Sequence, residues 1–314
     1  MAEQRLSPGP AAPQHVTWFA RATVVATFIL IIAGGLVTSR DAGLAVPDWP
    51  LSFGTLNPPG WWRIDNVRTE HGHRLIAGSV ALLTLALTWV VRRSSVTALV
   101  RRLTTFAAGL VLFQALLGGL RVLHLSLDLA MVHALTAQLF LCVVVGVATL
   151  ASQAWPEASA EPCTRRDLRR GVWLFALILL QLVIGILVRH YGPEVRPLLG
   201  SHLFHVHVAL ALGITWLVAR DRTAARNATR PWAARRASYL LYLLLAQLAL
   251  GLATFAVTDT MGYDRQATVA ESWIPTFHVA VGAGVLAMAA RSLLYSWAGS
   301  RLAPWGSGAA AVAR

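Results

Sequence analysis

Apolar runs of roughly 20 residues, each nearly free of charge, recur along the whole chain, and a hydrocarbon layer roughly 30 Å thick asks for helices of that length. A helix satisfies its backbone polar groups within one segment, so runs of this kind cross a bilayer as helices. Eight can be drawn, at about 18–37, 71–91, 103–121, 129–150, 172–189, 203–219, 238–257 and 275–295. Composition agrees: 56% of the residues are hydrophobic and 13% are charged, about half the charge of an ordinary soluble domain. The expected fold class is all-α integral membrane with eight transmembrane helices.

A net charge of +13 raises the question of nucleic acid, but all 27 basic residues are arginines and they cluster between apolar runs. Arg92, Arg93, Arg101 and Arg102 fall between spans two and three; Arg165, Arg166, Arg169 and Arg170 fall between four and five. Arg220, Arg222, Arg226, Arg230, Arg235 and Arg236 fall between six and seven, and the alternate connections hold few. That is an orientation signal and not a nucleic-acid footprint: both termini are expected in the cytoplasm and the long connection after span one outside. Residues 1–17 read as a disordered cytoplasmic tail. The first apolar run lacks a small-residue cleavage pattern and reads as a retained helix, which favours a bacterial plasma membrane. Cys142 and Cys163 form no paired or metal-binding spacing.

The chain also repeats itself. Gln114, Gln181 and Gln247 open the phrases QALLGGL, QLVIGIL and QLALGLA, each with a glycine four residues on; span one ends on IIAGGLV, without the glutamine. Small residues at such positions let neighbouring helices approach. The expected organisation is two duplicated four-helix bundles. They would span residues 18–150 and 172–295, joined by a basic cytoplasmic linker at 151–171 and followed by a cytoplasmic tail at 296–314. Gly282 and Gly284 in the last span could pack within the bundle or against a second subunit, which leaves a homo-oligomer open.

Seven of the ten histidines open the even spans: His71 and His73, His133, His202, His205 and His207, and His278. Neutral imidazole ligates metals and heme iron, and two histidines on facing helices of a four-helix bundle can hold a heme between them. His71 and His73 stand about 200° apart around a helix, so one centre cannot take both. Glu70 and His73 share a face. Laying EHGHRLIA over FHVHVALA matches His73 to His207 and His71 to His205. The expected axial pairs are therefore His73 with His133 and His207 with His278, His202 being a weaker candidate. Glu70 and Arg74 have no counterpart in the second half, where Phe204 and Val208 stand. Chemistry is thus expected in the first half and a bound cofactor in the second. Arg74 reads either as an interfacial arginine or as a contact to a heme propionate.

Glu-x-x-His-Arg opening span two, histidines opening the even spans and the loop phrase GLAVPDWP together resemble the heme A synthase family, over about residues 18–295. The resemblance implies an oxidoreductase that oxidises a ring methyl of heme O to the formyl of heme A by successive hydroxylations. It implies substrate heme in the first half, flanked by His73 and His133, heme b in the second on His207 and His278, and Glu70 as the essential acid. His71 and His205 fall to supporting positions around these ligands. Implied partners are heme O synthase and the assembly of terminal oxidases. Many bacterial members carry cysteine pairs in their outer loops; here Val46 precedes PDWP and those loops hold no cysteine. The reading from a different class is a di-heme b electron-transfer protein that leaves heme unaltered.

Overall fold

A computed structural model describes residues 12–191, 197–258 and 267–302. The expected tails therefore fall largely outside the described residues. Among them the long elements are all helices: α1 (Gln14–Ser39), α2 (Asp65–Arg92), α3 (Ala98–Leu123), α4 (Leu127–Leu150), the short α5 (Trp155–Ser159), α6 (Arg165–His190), α7 (Pro197–Asn227), α8 (Pro231–Thr258) and α9 (Val269–Leu302). Eight of them are long and apolar enough to cross a membrane. Helix α1 begins inside the segment expected to be disordered, and α9 runs past residue 295 into the expected tail.

The local sequence explains these helices. Leucine, valine and alanine surround each one instead of lining a single stripe, the pattern of a helix whose solvent is lipid. Leu252 is 72% exposed and Leu82 is 70% exposed, which water would penalise and lipid does not. Threonines inside the spans turn their hydroxyls onto carbonyls four residues back, as at Thr27 on Thr23 (2.7 Å) and Thr84 on Val80 (2.7 Å), which satisfies those hydroxyls within the helix. Thr97 and Ser126 cap the first turns of α3 and α4, and Thr164 and Asp167 form a capping box at α6.

Helices α1 to α4 close into a ring in which each touches its sequence neighbours and α1 meets α4; α6 to α9 close the same way. In each ring the two histidine-bearing helices, α2 and α4 or α7 and α9, stand diagonally opposed. Both rings have the connectivity that an internal duplication requires. They join along α1 and α4 against α9 and α6. The first ring packs its core around Val80, Val111, Leu141 and Val144, with Ala283 and Ala287 of α9 reaching into it. The second packs around Ile178, Ile214, Leu244 and Leu286.

The segment expected to be a plain basic linker is folded onto the second ring. The Glu161 carboxylate accepts the Trp232 and Ala233 N–H groups at the start of α8 (3.2 and 2.9 Å), an anion at a helix N-terminus. Arg230 meets Asp167 at 3.1 Å, and the Cys163 N–H donates to the Gly299 carbonyl near the end of α9. On this arginine-rich face, among the described residues, Trp–Arg pairs stack one helical turn apart: Trp18–Arg21, Trp89–Arg93, Trp216–Arg220, Trp232–Arg235 and Trp297–Arg301. Such pairs suit an interfacial belt.

Candidate heme sites and the loop over the first

At the opposite face, all four expected ligands lie over glycines. A Cβ built at Gly34 of α1 would meet His73 Cε1 at 3.2 Å, and one at Gly118 of α3 would meet His133 Cε1 at 3.2 Å. In the second ring, Gly185 lies under His207 (2.9 Å) and Gly251 under His278 (3.1 Å). These are the glycines of the repeated phrases, so each phrase is a bed for an imidazole as well as a helix-packing surface. The glutamine one turn earlier reaches the same residue. Gln181 Nε2 lies 3.0 Å from His207 Nδ1 and donates to the His207 carbonyl (2.9 Å). Gln247 Nε2 lies 3.2 Å from His278 Nε2, and Gln114 donates to the His133 carbonyl and to Thr136.

The rings of His207 and His278 sit 6.4 Å apart, centroid to centroid. Two metal–nitrogen bonds of roughly 2 Å together with the two ring radii fill such a gap. His73 and His133 lie within electrostatic reach of each other. Nδ1 of His73, His133 and His278 is buried without a hydrogen-bond partner among the described residues, a cost that a nearby group would relieve. No set of three or more His, Cys, Asp or Glu side chains converges among the described residues, so a bare ion would find too few ligands. Heme iron, already held by four porphyrin nitrogens, needs only the axial pair. The donor sets fit heme.

The other expected site residues are divided between loop and surface. Glu70 is buried and both its oxygens are engaged: Oε2 accepts the Val46 N–H (2.9 Å) and Oε1 the Arg74 guanidinium (2.6 Å). Arg74 also donates to the carbonyls of Asp48 (2.6 Å), Leu51 (3.0 Å) and Val46 (3.0 Å). Its four terminal N–H groups are thus committed to Glu70 and the 40–64 loop, where a propionate contact was one expectation. His71 Nδ1 meets Ser52 Oγ at 2.9 Å and its ring stands edge-on to Trp61, so it supports the same loop. His205 is exposed and edge-on to Phe204, off the seam between His207 and His278.

The PDWP phrase builds the loop's contact with the bundle. The Asp48 carboxylate accepts the N–H groups of Phe53 and Gly54 (both 2.7 Å), closing a turn with two positive φ values. The Gly54 N–H, aided by that of Phe53, holds the Asp48 carboxyl below its ordinary range against the opposing effect of burial, with the Arg74 charge contributing least. Trp49 lies against Gly119, where its indole leaves no room for a Cβ. Arg121 closes the far side on the Gly43 carbonyl (2.9 Å). Sequence reasoning missed the glutamines, the glycine beds and the Trp49 seat. The signal was present in the repeat, whose phrases each precede a histidine helix.

Fold and site define a multi-pass helical membrane protein with two diagonal histidine pairs, one of them roofed by a folded loop. A sequence model of the family described as cytochrome oxidase assembly protein matches residues 2–145, the ring that carries Glu70, His73, His133 and PDWP. Through that half the chain is similar to the cytochrome oxidase assembly protein family. It is similar to the heme A synthase of Azorhizobium caulinodans, 38% identical over 144 residues, which cover 42% of this chain and 40% of the relative. It is 34% identical over 157 residues to the heme A synthase of a Methylobacterium species, covering 46% and 43%. With that of Lysinibacillus sphaericus it shares 34% over 112 residues, covering 35% and 36%. The chain spans less than half the length of these relatives.

Proposed function

We propose that this protein is a heme A synthase: it takes heme O into the first ring and oxidises one ring methyl to a formyl group (R–CH3 + H2O → R–CHO + 4 H+ + 4 e−), the electrons leaving to an external one-electron acceptor. The observation that carries the reading is a half-buried histidine pair beneath a carboxylate-latched loop, in the half matched by the cytochrome oxidase assembly family model, in a chain similar to heme A synthases. His73 and His133 hold the substrate heme, and His207 and His278 hold a resident heme b. When bound, that heme supplies one-electron redox chemistry. Glu70, one helical turn from His73, keeps negative charge near the attacked methyl, where positive charge develops, while Arg74 holds it in place. The loop excludes water from the first site. Orientation follows the arginines, with both termini in the cytoplasm of a bacterial cell and the histidine pairs toward the outer leaflet of its plasma membrane. The chain works beside a heme O synthase in terminal-oxidase assembly.

One observation favours a second reading, a di-heme electron-transfer protein. Both Glu70 oxygens are already bonded, as a purely structural acid's would be. Co-expression of the chain with a heme O synthase, followed by mass analysis of the extracted hemes, separates the two. Hydroxylated or formylated heme is expected. Bound b heme with unmodified heme O alone would leave the electron carrier.

A further inference from the structure

The four histidine beds are not equal. Three have a glutamine one turn before the glycine: Gln114 with Gly118, Gln181 with Gly185 and Gln247 with Gly251. Each of those amides meets its own histidine, at Nδ1 of His207, at Nε2 of His278 and at the backbone carbonyl of His133. Each amide also keeps a buried Oε1 with no hydrogen-bond partner among the described residues. An imidazole that gives Nε2 to iron carries its proton on Nδ1 and is oriented by whatever accepts that proton. Nδ1 of His133 and of His278 is equally unsatisfied, and Gln114 and Gln247 touch those residues at other atoms. At His207 the amide already reaches Nδ1, and a half-turn presents oxygen in place of nitrogen.

The fourth bed departs from the pattern. Gly34 lies under His73 as the other glycines lie under their rings, yet the residue one turn before it is Leu30. Leucine accepts no proton, so His73 Nδ1, unpartnered among the described residues like those of His133 and His278, has no amide one turn before its glycine to turn toward it.

We propose that Gln181 is a positioning residue that orients His207 through Nδ1–H, that Gln114 and Gln247 turn to the same role at His133 and His278 when a heme is seated, and that His73, with Leu30 in that place, is the exchangeable ligand of the first ring. This rests on the heme reading above. An accepted Nδ1–H makes an imidazole the stronger donor and favours the ferric state, so three ligands are held firmly and one is left free to leave. The asymmetry suits a ring that must admit heme O and release a product. The second ring, with a glutamine behind both ligands, suits a heme that stays.

The test uses the full chain purified with its hemes. Replacing Gln181 with Leu should raise the reduction midpoint of the second-ring heme, and Gln181→Glu should lower it. The expected change is about tenfold in the oxidised-to-reduced ratio, or 59 mV for one electron, with heme content maintained. In the first ring, Leu30→Gln should slow displacement of His73 by added imidazole about tenfold. Midpoints that stay fixed in both Gln181 variants at full heme content overturn the positioning role; a merely structural glutamine would not move them in opposite directions. An unchanged displacement rate in Leu30→Gln overturns the role of His73. Wild-type protein that purifies without heme after expression in heme-replete cells would defeat the heme reading itself, and this inference with it.

Discussion

At the scale of single residues, Glu70 and Arg74 join the loop to the candidate chemistry. Their side chains are 5% and 17% exposed and 2.6 Å apart. Breaking a buried ion pair by removing one partner costs about 3–5 kcal/mol, because the other charge is stranded. Glu70→Ala should therefore loosen the loop as well as end activity, and is an ambiguous probe. Glu70→Gln preserves a hydrogen-bonding side chain of the same shape. It should keep the loop resistant to limited proteolysis and keep heme bound, while heme A formation falls at least about a hundredfold, the scale of losing one preorganised electrostatic group. A Gln variant with undiminished heme A formation would leave Glu70 only its latch.

Among elements, the 40–64 loop shows how a short phrase becomes architecture. Asp48 fastens its turn, Trp49 occupies the surface of Gly119, and Arg74 threads three of its carbonyls. The folded carboxyl of Asp48 titrates below its ordinary value, so its contribution to loop order is present above about pH 4, the unfolded value. It is lost only as pH falls through the lowered folded value. Proteolysis of the loop by an acid-active protease should be flat from neutral pH down to about pH 4 and rise below it. Asp48→Asn should be cut faster at neutral pH and lose the acid-dependent step. The spans and their number were legible in the sequence because apolar length is a local pattern, and so was the placement of histidines at the starts of the even spans. The loop was not, since its contacts join Val46 to Glu70 and Trp49 to Gly119, pairs 24 and 70 residues apart. Nor did the role of Arg74 follow from its position, because an arginine at a membrane boundary reads alike whether its acceptors are lipid, propionate or loop carbonyls.

Taken whole, the molecule is two rings held together at both faces. Arg189 donates to Ser39 (2.8 Å) and Ser39 meets Thr276 (3.1 Å) near the histidine face. At the arginine face the 161–163 strap lies against the end of α9. Cys163 is buried in that strap, and its burial pushes the thiol pKa up, so little thiolate forms at neutral pH. In the intact protein Cys163 should react with a polar alkylating reagent at least about tenfold more slowly than a free thiol. Reaction should begin when heat or denaturant lifts the end of α9, before the helices themselves melt. Fast labelling of the native protein would mean that the strap is not seated.

The paired glycines carry a consequence for this assembly. Gly34 receives His73 while Gly35 receives Thr276 of the other ring; Gly118 receives His133 while Gly119 receives Trp49 of the loop. Adjacent residues of one helix differ by about 1.5 Å in height, and no torsion of a side chain can alter that offset. The first ring thus gauges its histidines against its roof and against its sister ring by main chain alone. Lipid-facing side chains can drift through generations of substitution without moving the gauge, while a single methyl group on any of the four glycines resets it.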